Sequence, residues 1–297
     1  MSKRRDNGPT GFAVVDKEAG WTSHDVVAKA RGVFGTRKVG HSGTLDPGAT
    51  GVLVLGVGRG TRLLRFITEL PKTYVAEAVL GVETDSLDAD GEVTATHDMS
   101  AVTIEDVRRV AQDFVGDIEQ IPPMVSAIKI DGKRLHELAR EGKTVERKPR
   151  PVTVYEITVE PEFVPTAEGE PNVFRFTTRC GSGTYIRTIG ADIGAALGGG
   201  AHLRSLRRTA IGRHTEAGAA QIEDATVISL AEGLADYPSI ELDDETVARV
   251  RNGQRLGAEI MVGDGPWVLK DNQGVVVAVH ERVEGKIKPA VVIPADA

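Results

Sequence analysis

The chain has 297 residues, 40% of them hydrophobic, which suits one large domain plus a small one; aromatics make up only 4%, so the core must rest on Val, Leu, Ile and Ala. A single cysteine, Cys180, excludes a disulfide framework and a multi-cysteine zinc site, and no apolar run reaches the roughly 18 residues of a membrane span. The net charge of −7 argues against a nucleic-acid partner, but the charges are segregated. Residues 126–150 carry eight Lys and Arg against four acids, and residues 202–214 carry four Arg against none, while acids gather at 83–106 and 223–245. Such a pattern allows a basic face on an acidic protein. Taken alone it equally describes ordinary solvated surface.

The first ten residues read as a basic, polar tail without the apolar stretch of a signal peptide, so the expected location is the reducing cytoplasm. Phe12–Val15 reads as a strand. Thr22-Ser23-His24-Asp25 reads as a helix start with Ser23 as N-cap and Asp25 in the first turn, followed by Val26, Val27, Ala30 and Val33 at helical spacing. Residues 40–51, GHSGTLDPGATG, form a loop, and Val52–Val57 a strand after it. Tyr74–Leu80 alternates as a strand, and Asp90-Gly91 signals a hairpin before Glu92–Thr96. Thr103–Phe114 is an amphipathic helix with Thr103 and Asp106 at capping-box spacing. Beyond Ile121-Pro122-Pro123, a strand Val125–Ile130, a turn Asp131-Gly132 and a helix Arg134–Glu141 are expected, then an exposed basic loop over 142–151. Val152–Glu160 and Val173–Cys180 read as paired strands, 184–197 as a helix ended by three glycines, and Leu203–Ile211 as a strand. After Tyr237-Pro238 the short apolar runs 267–270, 275–279 and 290–293 suggest a small β domain.

Several chemistries have no sequence support. The chain holds no P-loop, HExxH, EF-hand loop, GxSxG elbow or Cys/His metal spacing. Gly56-Val57-Gly58-Arg59-Gly60 follows a strand, but Thr61 stands where a dinucleotide fingerprint needs its last glycine. No cofactor and no metal are therefore expected, and the chemistry falls to side chains. Asp46 is the carboxylate best placed to meet a ligand, in a Gly-rich loop and followed by Pro47. Alone, Asp-Pro reads as a turn before it reads as a catalytic site.

The neighbouring motifs change that balance. GHSGTLDPGATGVLVLGVGRGTRL, Lys72-Thr73-Tyr74 with ETDSLDADG, IPPMVSAIKIDG, and CGSGTYIRTI followed by Gly200–Arg208 resemble, in order, the motifs of the TruB family of tRNA pseudouridine synthases. The resemblance starts near Asp16-Lys17 and runs through the first 215 residues. It implies an α+β fold, with a mixed, largely antiparallel central sheet flanked by helices (the pseudouridine synthase fold), and a small C-terminal β-barrel, PUA-like domain. The expected division is a catalytic domain over 1–236 and an RNA-binding module over 237–297.

The resemblance also implies roles. Asp46 becomes the essential catalytic residue, ionised at neutral pH because an aspartate titrates near about 3.9, with Arg187 as the cation that pairs with it. Tyr74 would stack on the flipped base and serve proton transfer at C5, while Tyr185 and Leu206 line the pocket. His41 would fill the gap that the flipped base leaves. Residues 124–152 become an insertion that clamps the T arm, with Lys129, Lys133, Arg134, Lys143, Arg147 and Lys148 as candidate phosphate contacts. The implied reaction is isomerisation of uridine to pseudouridine at position 55 of the tRNA T loop. It would be carried out by a monomer with no obligatory protein partner. Two alternatives share these features, a guide-RNA-dependent pseudouridine synthase and a tRNA-folding chaperone. The basic insertion favours the stand-alone enzyme over the first, and the intact set of Asp46, Tyr74 and Arg187 favours catalysis over the second.

Overall fold

The computed structural model describes residues 8–126, 129–130, 133–134, 145–254, 256 and 260–295. The chain divides into two compact units: residues 1–47, 51–69 and 211–297 form the first, and residues 48–50 and 70–210 the second. Among the described residues no helix is long and apolar enough to cross a membrane.

The N-terminal part of the first unit contains β1 (Gly11–Lys17), α1 (Ser23–Val33), β2 (Val39–His41) and β3 (Thr50–Val57). β3 pairs antiparallel with β1, Gly11 opposite Val57 and Lys17 opposite Gly51, and with β2, Val39 opposite Val57. From Gly51 onward β3 is buried at every position, the mark of a strand covered on both faces. Val26, Val27 and Ala30 of α1 close over Ala13, Val15, Leu53 and Leu55. The start of α1 differs from the sequence expectation. Thr22 is the N-cap, and with Asp25 it forms a capping box, Thr22 Oγ1 accepting from Asp25 N at 3.1 Å and Asp25 Oδ2 from Thr22 N at 2.9 Å. Thr22 and Asp25 have the three-residue spacing that a box requires, so Ser23 falls inside the helix and points into the core, 0% exposed. A 3-10 turn, Gly58–Leu63, leads into α2 (Leu64–Glu69).

The second unit contains β4 (Lys72–Leu80), β5 (Val82–Thr84), β6 (Val93–Thr96), α3 (Ile104–Ala111), β7 (Gly116–Gln120), β8 (Lys129–Ile130), β9 (Lys133–Arg134), β10 (Arg150–Val159), β11 (Val173–Cys180), α4 (Ile186–Ala196) and β12 (Ala201–Ile211). Its sheet runs β12-β4-β11-β10-β7. Tyr74 lies opposite Thr178 on β11, and Gln120 opposite Arg150 on β10, both pairings antiparallel. β4 alternates strictly between buried and half-buried positions, which gives the sheet one core face. α3 lies against β10 and α4 against β4. On the opposite face Glu77 joins three strands, taking hydrogen bonds from Arg175 at 2.7 Å and Arg204 at 2.8 Å. Burial pushes its carboxyl up, but the hydrogen bonds from these two arginines more than offset that and hold it below the ordinary glutamate range. The capping box at Thr103 and Asp106 forms as expected. Arg134 does not open a helix; it pairs antiparallel with Lys129, as Lys133 does with Ile130. The rest of the expected helix, 135–141, lies outside the described residues.

The first unit resumes with β13 (His214–Thr215) and α5 (Leu230–Gly233), then β14 (Ser239–Glu241), α6 (Asp244–Arg251), β15 (Trp267–Lys270), β16 (Val276–Val283) and β17 (Lys286–Val292). The last four strands form a sheet in the order β14-β15-β16-β17, with β14 parallel to β15 and the rest antiparallel. Among the described residues this sheet does not close into the expected barrel. Four short strands are too few to meet edge to edge, and α6 covers one face through Val247 and Val250 on Trp267, Leu269 and Val277. Arg59 donates to Pro294 O at 2.6 Å, Arg62 to Val292 O at 2.8 Å, and Arg65 pairs with Glu281 at 2.8 Å, tying this sheet to the segment 58–69.

Candidate active site

Asp46 is half-buried in the loop between β2 and β3. Gly43 and Gly51 bracket that loop at φ 102° each, a conformation glycine adopts without strain. The residues on either side of Asp46 are held from one direction, by the end of β1 and the start of α1. Ser23 Oγ accepts from Leu45 N at 2.9 Å and donates to Leu45 O at 3.3 Å, so one hydroxyl satisfies both backbone groups of the residue before Asp46. On the other side, Pro47 O accepts from Gly20 N at 2.9 Å and from Lys17 Nζ at 3.2 Å. Lys17 is 1% exposed, and its ammonium also donates to Glu18 O at 2.9 Å and Trp21 O at 2.6 Å, so this buried cation gathers three backbone carbonyls around it. Asp46, half-buried, is thus carried on a backbone held at both of its neighbours. His41 stands at the end of β2, its ring 5.4 Å from that of His24 in an edge-to-face contact.

The other expected residues lie in the second unit. Tyr74 is on the core face of β4, and the guanidinium of the buried Arg208 sits 6.0 Å from its ring centroid. Leu206, half-buried, lies on β12, the strand next to β4. Tyr185 is the N-cap of α4, and Arg187 follows two residues later, 4% exposed. Arg187 donates to Ser86 O and Val125 O at 2.7 Å each and pairs with Asp88 at 3.0 Å. Leu87 between those two acceptors has φ 63°, a left-handed conformation costly for a residue with a β-carbon, and this turn presents the Ser86 carbonyl and the Asp88 carboxylate to one guanidinium. Cys180 is no rival nucleophile: burial pushes its thiol up to about 11. Among the described residues no three metal-ligating side chains converge.

The clamp candidates are only partly visible. Arg147 donates to Pro122 O at 2.9 Å, and Lys148 is exposed. Lys129, Lys133 and Arg134 sit in the β8–β9 hairpin, with their side chains outside the description, and Lys143 lies outside the described residues altogether.

Residues 31–186 match the description "TruB family pseudouridylate synthase (N terminal domain)", more than half of the chain. The chain belongs to the TruB family of pseudouridylate synthases. Residues 187–237 match a second TruB segment, described as "tRNA pseudouridylate synthase B C-terminal domain". Two relatives named tRNA pseudouridine synthase B are similar over nearly their whole length. The one from Thermobifida fusca is 43% identical, over 95% of this chain and 98% of the relative, and the one from Arthrobacter is 40% identical, over 95% and 96%. Among solved structures, a Cbf5-Nop10-Gar1 complex contains a chain of the same fold, with TM-score 0.67 at 23% identity, over 100% of this chain and 90% of that one. The TruB motif string therefore falls on the loop that carries Asp46, on β4, on the 83–91 loop that grips Arg187, and on the start of α4.

Four contributors were not singled out in the sequence. Asp88 lay inside ETDSLDADG, and a buried arginine's need for a counter-charge could have drawn attention to it. Ser23 had a competing role as helix cap. Lys17 marked the start of the resemblance, but its carbonyl contacts were not foreseen. Gln120 ends β7 and has no signal in a single sequence.

Proposed function

We propose that this protein isomerises uridine to pseudouridine at position 55 in the T loop of tRNA, with Asp46 as the indispensable group. The observation that carries this reading is the full-length similarity to tRNA enzymes, with the motif aspartate on a pinned, solvent-facing loop. The N1–C1′ bond breaks, the base turns, and C5 bonds to C1′; C5 gives up its proton and N1 ends protonated, so the change is an isomerisation with no net redox. A carboxylate at this place serves attack on C1′, attack on C6, or removal of a ribose proton. Arg187 is assigned to the same reaction as the partner of Asp46, and Tyr74 as the base-stacking and proton-transfer group. Tyr185 and Leu206 line the pocket, and His41 fills the gap in the RNA.

The basic residues of 124–152 position the T arm through phosphates, and residues 237–297 act as an RNA-binding module on a monomer in the cytoplasm. Identity of 40% and above to tRNA enzymes, against 23% to the Cbf5 chain, supports the stand-alone reading over a guide-dependent one.

The test is tritium release from C5-labelled uridine in a T-arm stem-loop, without added metal or nucleotide, comparing wild type with Asp46→Asn. Release by the wild type alone is expected. Binding without release by either protein would favour a chaperone or guide-dependent role.

A further inference from the structure

Gln120 is 1% exposed at the last position of β7. Both ends of its carboxamide meet one residue: Oε1 accepts from Tyr185 N at 2.9 Å, and Nε2 donates to Tyr185 O at 3.2 Å. The pairing fixes which way the amide points, since the flipped amide would set donor against donor. Tyr185 needs this partner. It is the N-cap of α4 yet makes no side-chain cap, at φ −98° and ψ 109°, and its carbonyl also accepts the helix's Ile189 N–H at 3.2 Å.

Five residues beyond Gln120, past Pro122-Pro123, Val125 O accepts from the Arg187 guanidinium. One short segment at the root of the basic insertion therefore holds the backbone at the start of α4 and the head group of its arginine.

We propose that Gln120 is a positioning residue for the isomerisation, acting through Tyr185 and Arg187. This rests on the function proposed above. The amide sets the direction in which α4 leaves the sheet, and with it where Arg187 and the Tyr185 ring stand relative to the flipped base. An apolar side chain of similar volume would fill the space but remove both bonds from Gln120, leaving the Tyr185 carbonyl to Ile189 N–H.

The experiment uses the full-length protein, the labelled T-arm stem-loop, and Gln120→Met and Gln120→Glu beside wild type and Asp46→Asn. Gln120→Met should slow single turnover at saturating RNA by about 10- to 100-fold, the scale of a displacement near 1 Å, with RNA affinity within about twofold of wild type. Gln120→Glu gives a second readout. Its ionised carboxylate can still accept from Tyr185 N but cannot donate to Tyr185 O, whereas the protonated acid restores both bonds. Burial raises a carboxyl's pKa, so the rate of Gln120→Glu relative to wild type should climb as the pH falls from about 8 to about 6.

If both variants melt earlier but their folded fraction turns over at the wild-type rate, with a flat pH ratio, Gln120 is only structural and the proposal fails. Weakened RNA binding with an unchanged saturated rate also overturns it. If Gln120→Met does not fold, the pH ratio of the near-isosteric Gln120→Glu decides. A wild type that releases no tritium refutes the function itself, a result separable from any of these.

Discussion

Replacing Ser23 with Ala removes one oxygen and strands two backbone groups. Leu45 N–H and C=O both bond to that hydroxyl in a site where Ser23 is 0% and Leu45 3% exposed. An unpaired buried polar group costs about 1–3 kcal/mol, and the alanine methyl returns part of that by sparing the hydroxyl its own desolvation. Thr44 and Pro47 are exposed, so the loop can also shift toward water. The net loss should be about 2–3 kcal/mol, which leaves a protein of ordinary stability folded. The same shift moves Asp46, and a displacement near 1 Å can cost about 100-fold in rate. Urea unfolding at unchanged m gives the first quantity, and single-turnover tritium release by folded protein gives the second. The reasoning is wrong if Ser23→Ala unfolds within about 0.5 kcal/mol of wild type and turns over normally, because Leu45 would then have other partners to hand. Ser42, nineteen residues on, is the internal control: its buried Oγ has no hydrogen-bond partner among the described residues. Ser42→Ala should be neutral or mildly stabilising in the same unfolding assay.

Asp88→Asn should destabilise by about 2–3 kcal/mol in urea unfolding, less than a fully buried pair would lose, because Asp88 is 22% exposed and two carbonyls still hold Arg187; no change would mean those carbonyls suffice. His280 is 0% exposed, and burial holds its imidazole below the usual histidine range. A histidine titrates near about 6.5 when unfolded, so its contribution is complete above that pH and is lost as the pH falls toward the lower folded value. The urea midpoint should drop between about pH 7.5 and 5.5, and less steeply in His280→Leu; equal slopes would exonerate His280. Neutralising Lys143, Arg147 and Lys148 together should weaken T-arm binding and flatten its dependence on salt. An unaltered slope would place the phosphate contacts elsewhere.

What could be read from the sequence was what local chemistry decides. The paired strands expected at 152–160 and 173–180, and found at 150–159 and 173–180, announced themselves by alternation, and the box at Thr103 and Asp106 by spacing. The Asp46 loop stood out because glycine, proline and a carboxylate gathered in it. Local rules misled where two of them competed. Thr22 and Ser23 are both good caps, and only the partner at Asp25 decides between them. α6 was not foreseen, because its eight residues carry just two buried side chains, Val247 and Val250. Asp88 and Gln120 lay beyond reach for another reason: their partners are 99 and 65 residues away, and no periodicity records such distances.

The first unit is discontinuous, and this orders its assembly in time. Arg65 and Glu281 are 216 residues apart, so a ribosome working at about 5–20 residues per second needs about 10–40 s to deliver the partner of an arginine it has already made. The hydroxyl of Ser23 and the backbone of Leu45 are separated by only 22 residues and can meet within the first moments. The loop bearing Asp46 can therefore take its shape long before Arg59, Arg62 and Arg65 find their acceptors. In that interval the segment 58–69 holds three arginines whose acceptors on the C-terminal sheet have yet to be made.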